Sequence, residues 1–144
     1  MEVLEELGLR LSTVDPGAYH RSMVQALQIH EKECVGMDPT RSQLALFVET
    51  RDQELIAGVL GFFHWNVLRI NALWVERPFR RKGLGTFLMT QAEREALKRG
   101  MSVISLSAHE FEAPPFYSKL GYTISGFLPD YPIGTNYYYF FKAI

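Results

Sequence analysis

The sequence predicts an α/β domain built on a mixed sheet of six to seven strands, mostly antiparallel and flanked by helices. Three observations carry this reading. A chain of 144 residues that is 47% hydrophobic and 22% charged has the length and composition of one globular domain, here residues 1–144. Two apolar runs, 44–50 and 55–65, are separated only by the polar turn Arg51-Asp52-Gln53-Glu54, which gives an antiparallel hairpin. A strand pattern over 68–75, a helical period over 83–99 and a second strand pattern over 103–108 give a right-handed βαβ unit with one parallel strand pair.

The elements follow in chain order. Leu9, Leu11 and Thr13 alternate with Arg10 and Ser12, a short first strand stopped by Asp15-Pro16-Gly17. A helix from about Ala18 to Cys34 places Met23, Val24 and Leu27 on one face and is closed by Gly36-Met37-Asp38-Pro39. The hairpin supplies strands two and three. In the fourth strand, 68–75, a simple alternation sets Leu68, Ile70, Ala72 and Trp74 on one face and Arg69, Asn71, Leu73 and Val75 on the other. Leu84, Leu88, Ala92 and Ala96 recur every four residues in the next helix, Phe87 joins their face, Glu95 can pair with Arg99, and Gly100 stands at the stop. Val103 to Ala108 reads as a buried parallel fifth strand. Pro114 and Pro115 suit the first turn of a short helix ending at Gly121, and 122–128 and 136–142 are the last two strands.

Charge and cysteine content exclude several classes. A net charge of −1 gives no global attraction to nucleic acid or anionic membrane, so neither is expected as a partner. The single cysteine, Cys34, excludes an internal disulfide framework and a cysteine-rich zinc site, and no metal is expected. The acidic start Met1-Glu2-Val3-Leu4-Glu5-Glu6 is unlike a secretory signal, and no apolar run approaches a membrane span, so a cytoplasmic location is the expectation.

Against this neutral background stands a local run of cations, Arg77, Arg80, Arg81 and Lys82, leading into Gly83-Leu84-Gly85-Thr86 and a helix with no acid before Glu93. A helix N-terminus is already partly positive, so each cation there is unfavourable by roughly 0.3–1 kcal/mol until an anion joins it. Glycines that let the backbone approach a ligand, followed by a helix start, form a phosphate cradle. No Gly-Lys-Ser/Thr follows to hold a nucleoside triphosphate and magnesium, and the third glycine of a dinucleotide site is missing.

The spacing of Arg80, Gly83 and Gly85 resembles the acetyl-CoA signature of the GNAT superfamily of N-acetyltransferases, and Leu73-Trp74-Val75 precedes it as that family's splayed fourth strand does. The segment from Ala113 to Tyr122, Ala-Pro-Pro-Phe-Tyr-Ser-Lys-Leu-Gly-Tyr, is similar to the family's second block. The resemblance implies a GNAT-like fold with strands four and five parallel but splayed, and a coenzyme A diphosphate bound by Arg80, Arg81, Lys82, Gly83, Leu84, Gly85 and Thr86. It implies also that the backbone of Leu73, Trp74 and Val75 receives the pantetheine arm like an added strand. The activity implied is transfer of an acetyl group from acetyl-CoA to a primary amine of a small molecule or peptide, by direct attack in a ternary complex.

Tyr117 is the expected general acid and also a cofactor contact, because a phenol holds its proton at neutral pH and can deliver it to a departing thiolate. Many members carry an acid on the fourth strand. Here that strand offers Arg69 and Asn71 and reaches an acid only at Glu76, so the base is sought beyond the fifth strand at Glu110 or His109, or on the third strand at His64. A non-catalytic CoA-binding sensory module needs the same cradle without a proton route and stays open. The aromatic tail, Tyr137 to Phe141, has one face for the core; the other, with Tyr131, suits an acceptor pocket or a homodimer contact.

Overall fold

A computed structural model describes residues 2–13, 15–112 and 114–144, which form two compact units, residues 1–39 and 40–144. In the first unit, α1 (Glu2–Glu6) ends at Gly8, whose φ of 65° suits glycine, and α2 spans Gly17–Val35. Asp15 Oδ1 accepts the Gly17 N–H at 2.8 Å at the start of α2. At its end Gly36, with φ 76°, returns its N–H to Lys32 O at 2.8 Å. Residues 9–13 are not the expected first strand. Alternation makes a strand only where a neighbour accepts the backbone hydrogen bonds; the Leu9 N–H instead donates back to Leu4 O at 2.7 Å.

The second unit holds a six-stranded sheet: β1 (Ser42–Glu49), β2 (Leu55–His64), β3 (Val67–Val75), β4 (Val103–His109), β5 (Thr123–Leu128) and β6 (Tyr137–Ala143), in the order β1-β2-β3-β4-β6-β5. Every neighbouring pair is antiparallel except β3 with β4. That parallel ladder extends only from Val67–Val103 to Arg69–Ser105, after which the two strands part. A short 3-10 turn (Arg77–Phe79), α3 (Leu84–Lys98) and α4 (Pro114–Lys119) complete the unit.

The core lies between the sheet and α3. Leu88, Met89, Ala92 and Ala96 of α3 are buried with Ala57, Val59, Leu68, Ile104, Leu106 and Phe140 of the sheet. Phe87, expected on this face, is exposed, and Met89 takes the place, because the 100° step carries position 89 round beside 88 and 92. Glu95 pairs with Lys98 at 2.9 Å rather than with Arg99. The Arg99 guanidinium instead stacks 4.1 Å above the Phe63 ring and donates to Ser42 Oγ at 3.2 Å.

The alternation expected for 68–75 breaks at a bulge. Leu60 faces Ala72 and Gly61 faces Ile70, so Asn71 has no partner of its own on β2. Leu68 and Ile70 are buried before the bulge, and Leu73 and Val75 pack against the core after it, while Trp74 turns away, 44% exposed. Gly61 makes this possible: a Cβ there would lie 2.4 Å from Arg69 O. No helix among the described residues is long and apolar enough to cross a membrane.

Candidate active site

Where β3 leaves β4, its edge is free and a cleft of about 520 Å³ opens beside it. Apolar walls come from Leu73, Val75, Phe79, Leu84 and Phe116, and the polar end from Arg80, Arg81, Gly83, Gly85 and Thr86. Backbone phase can be read from β3's last bonds. The Glu76 N–H donates to Ile56 O at 2.8 Å on the β2 side, so the peptide groups of Val75 and Leu73 alternate towards the gap. Consistent with this, Val75 O accepts the Arg80 Nε–H at 2.8 Å, which ties the cationic loop to the end of β3.

The loop itself is bent by left-handed residues. Arg81 has φ 61°, uncommon for a residue with a side chain, and Gly83, the cap of α3, has φ 87°. The first intrahelical acceptor, Gly83 O, is taken by the Phe87 N–H at 2.9 Å, so the amides of Leu84, Gly85 and Thr86 have no acceptor within the helix. The first turn carries no acid and the cap contributes no side-chain hydrogen bond. Gly85 serves packing as well: an added Cβ would stand 3.2 Å from the Phe116 ring of α4. These features fit a diphosphate followed by a long, largely apolar arm, which is the shape and chemistry of coenzyme A.

Tyr117, on α4, is only 9% exposed and packs against Tyr122 and Phe140 with ring centroids 6.1 and 5.6 Å away. Burial first, and the nearby Glu112 carboxylate second, push its pKa up to about 12, so the phenol stays protonated. Tyr117 lines the cleft and also a second cavity of about 360 Å³ that continues through the strand gap past Asn71, Trp74 and Ser107. Beyond it a polar trough of about 310 Å³ is lined by Arg69, Asn71, Ser107, His109, Glu112 and Tyr137.

Glu112 lines all three cavities and is the residue that sequence reasoning missed. A tight turn brings it back to the gap: its N–H donates to His109 O at 2.8 Å, and its Oε2 accepts the His109 N–H at 3.2 Å. That turn is closed within residues 109–112, which contain neither proline nor glycine, so the sequence carries no turn signal there. Glu110, the residue named from sequence, lines none of the three cavities; its N–H donates to Asn136 O at 2.9 Å and its Oε2 accepts the Asn136 N–H at 3.0 Å, a latch between β4 and β6.

His109 does reach the outer trough. Its Nδ1 lies 2.9 Å from Tyr131 O, and since a carbonyl only accepts, Nδ1 carries a proton. Stacking on Phe111 and contacts with Tyr131 and Tyr137 hold the ring. His64 sits at the closed end of the β3–β4 pair, stacked 4.2 Å from Trp65, away from the gap. Trp74 lines the gap but not the main cleft, and Lys82 lies 5.9 Å above the Phe79 ring, outside the cleft lining. The tail splits as its alternation predicts: Phe140 is buried and Tyr138 packs on the core, while Tyr137 faces the trough. Among the described residues no cluster of side chains is suited to hold a metal ion.

A mixed sheet parted at one parallel pair, with an anion cradle on one side of the gap and a polar trough on the other, defines an acyl-transferring enzyme. The chain belongs to the acetyltransferase (GNAT) family, whose model matches residues 12–122. It is 34% identical over 92 residues to a blasticidin-S acetyltransferase of Streptomyces morookaense, covering 63% of this chain and 68% of that protein. An acetyltransferase of Bacillus cereus ATCC 14579 superposes with a TM-score of 0.83 at 25% identity, over 94% of this chain and 97% of that one. An aminoglycoside 6'-N-acetyltransferase complexed with coenzyme A matches the fold with a TM-score of 0.63 at 20% identity, over 78% of this chain and 77% of that one.

Proposed function

We propose that this acetyltransferase moves the acetyl group of acetyl-CoA directly to a primary amine of a small molecule, with both substrates bound at once. The observation that carries the reading is that the cleft, the gap cavity and the trough adjoin through shared lining residues, Tyr117 bordering the first two and Glu112 all three. A donor held on one side and an acceptor on the other meet there without an enzyme-bound intermediate. Among the described residues that line the three cavities there is no cysteine, so no thiol is placed there to act as a nucleophile.

In this reading Arg80, Arg81 and the amides of Leu84 to Thr86 bind the diphosphate, with Lys82 adding charge from the rim. The free edge holds the pantetheine arm through the peptide groups of Leu73 and Val75, with Trp74 between them. Glu112 accepts the proton lost by the acceptor's ammonium group. The neutral amine then attacks the thioester carbonyl, the carbon–sulfur bond breaks, Tyr117 gives its proton to the departing thiolate, and the second N–H proton of the attacking nitrogen passes to the Tyr117 phenolate. Two charges are linked in this sequence: the carboxylate that helps hold the Tyr117 proton becomes neutral on taking the amine's proton, so Tyr117 becomes the stronger acid when the thiolate needs it. His109, through its backbone N–H to Glu112, is a positioning residue here, and Glu110 braces the same turn.

Purified protein incubated with acetyl-CoA and a panel of amines, including blasticidin S, tests this by thiol release and by a mass gain of one acetyl group on the amine. Thiol release with no acetylated amine overturns it in favour of thioester hydrolysis, and CoA binding with no turnover of any amine overturns it in favour of a CoA-sensing module.

A further inference from the structure

Arg69 occupies an unusual position for a cation. It lies on the floor of the outer trough, partly buried, where the ladder between β3 and β4 ends. Its Nη2 donates to Ser107 Oγ at 2.9 Å and its Nη1 to Ser105 Oγ at 3.5 Å, both neutral hydroxyls. Ser107 is engaged in turn by a short hydrogen bond with the Tyr137 hydroxyl. The two ion pairs among the described residues, Lys98–Glu95 and Lys142–Glu93, give Arg69 no carboxylate. Neither hydroxyl neutralises the guanidinium, and two of its five N–H donors are committed to orienting it. The remaining donors form the planar fork that matches a carboxylate.

Charge elsewhere in the site sharpens the point. Among the described residues, the three adjoining cavities are lined by Arg69, Arg80 and Arg81 against a single carboxylate, Glu112. Arg80 and Arg81 lie at the diphosphate end, which leaves Arg69 and Glu112 as the opposed charges of the trough. A polycationic acceptor would meet Arg69 with like charge, whereas a molecule bearing both an ammonium and a carboxylate satisfies both residues. The trough, about 310 Å³, lies at the small end of ligand sites, as an amino-acid-sized molecule requires.

We propose that the acceptor is a small amine that also carries a carboxylate, the carboxylate held by Arg69 and the amine turned towards Glu112 and the strand gap. This rests on reading the gap as the site of acetyl transfer, and it narrows the acceptor to amino-acid-like molecules. Ser105, Ser107 and Tyr137 act as positioning residues that keep the guanidinium aimed into the trough.

The test uses matched triplets, each an amino acid, its primary amide and its decarboxylated amine, with arginine, argininamide and agmatine as one set and leucine, leucinamide and isopentylamine as another. A polyamine and an aminoglycoside serve as carboxylate-free references. The amino acid is expected to exceed its amide about ten- to hundredfold in kcat/KM, chiefly through KM. Arg69→Met should abolish that ratio, and Arg69→Lys should restore part of it. The ratio is internal to each variant, so a loss of folded protein cannot imitate it. Equal rates for acid and amide, a ratio unchanged in Arg69→Met, or turnover confined to amines without a carboxylate would each overturn the inference and leave acetyl transfer standing. Absence of turnover with every amine would strike the acetyl-transfer reading itself.

Discussion

Tyr117→Phe separates the chemical role of the phenol from its structural one, because the two are read at different pH. At neutral pH the variant keeps the ring packed against Tyr122 and Phe140, so its stability should stay within about 1 kcal/mol of the parent. Acetyl transfer should fall by about a hundredfold or more, the usual contribution of a placed proton donor, while the Kd for CoA changes little. At high pH the sign of the stability effect can be worked out. The folded phenol titrates at about 12, above the value near 10 of an unfolded tyrosine, so between these the native state binds more protons. Stability contributed by the buried neutral phenol is therefore complete below pH 10 and is lost as pH rises towards 12. At pH 11 the difference amounts to roughly 1.4 kcal/mol. Tyr122, whose pKa is raised by burial and by Glu93, titrates in both proteins and largely cancels in the comparison. Urea unfolding at pH 8.5 and pH 11 should show the parent losing more stability than the variant by about that amount. Parallel losses in the two proteins, or an unaltered transfer rate, would refute the reasoning for the corresponding role.

Three further substitutions probe what supports the site. Gly61→Ala drives a Cβ to 2.4 Å from Arg69 O, a clash that only backbone movement relieves, and should cost about 3 kcal/mol in urea unfolding; a loss below about 0.5 kcal/mol would show that the bulge yields. Gly85→Ala gains helix propensity of about 0.5–1 kcal/mol but presses on Phe116 at 3.2 Å, so stability should hold while the acetyl-CoA Kd, measured by calorimetry, rises severalfold. Lys142→Met strips Glu93 of the partner that lies 2.9 Å away in a half-buried setting, leaving it only the Tyr122 hydroxyl at 3.5 Å, and should lower stability by about 1–2 kcal/mol, recovered in part when Glu93→Gln is added.

Much of the fold was legible because its strands and helices carry undisturbed periods. The hairpin at Arg51 to Glu54, the α3 stripe and the parallel crossover follow from apolar spacing, and the cations before Gly83 do lead into the start of a helix whose first turn carries no acid. What was not legible depends on partners distant in sequence. The alternation of Leu9, Leu11 and Thr13 cannot reveal whether a ladder neighbour exists, and the bulge at Asn71 requires knowing that Gly61 lies opposite. Glu112 was hidden for the same reason. Two residues apart on an extended chain, Glu110 and Glu112 would share one side; the turn closed by the Glu112 N–H and His109 O sends one to the latch with Asn136 and the other to the strand gap.

The bulge and the strand gap work as one device. Up to Arg69, β3 pairs with β4 through its backbone and places Leu68 in the core. An uninterrupted strand would then send Ala72 and Trp74 inward and leave Leu73 and Val75 on the opposite face. One extra residue, Asn71, reverses that phase, so Leu73 and Val75 contribute side chains to the apolar cleft while their peptide groups face the gap. The same irregularity sets Asn71 beside Arg69 in the polar trough. Backbone pairing with β4 ends at Ser105, and the Arg69 side chain carries the connection one step further, to Ser107, without closing the opening. A bulge thus places Arg69 before it in the polar trough and Leu73 and Val75 after it in the apolar cleft, so one strand lines two cavities of opposite chemistry.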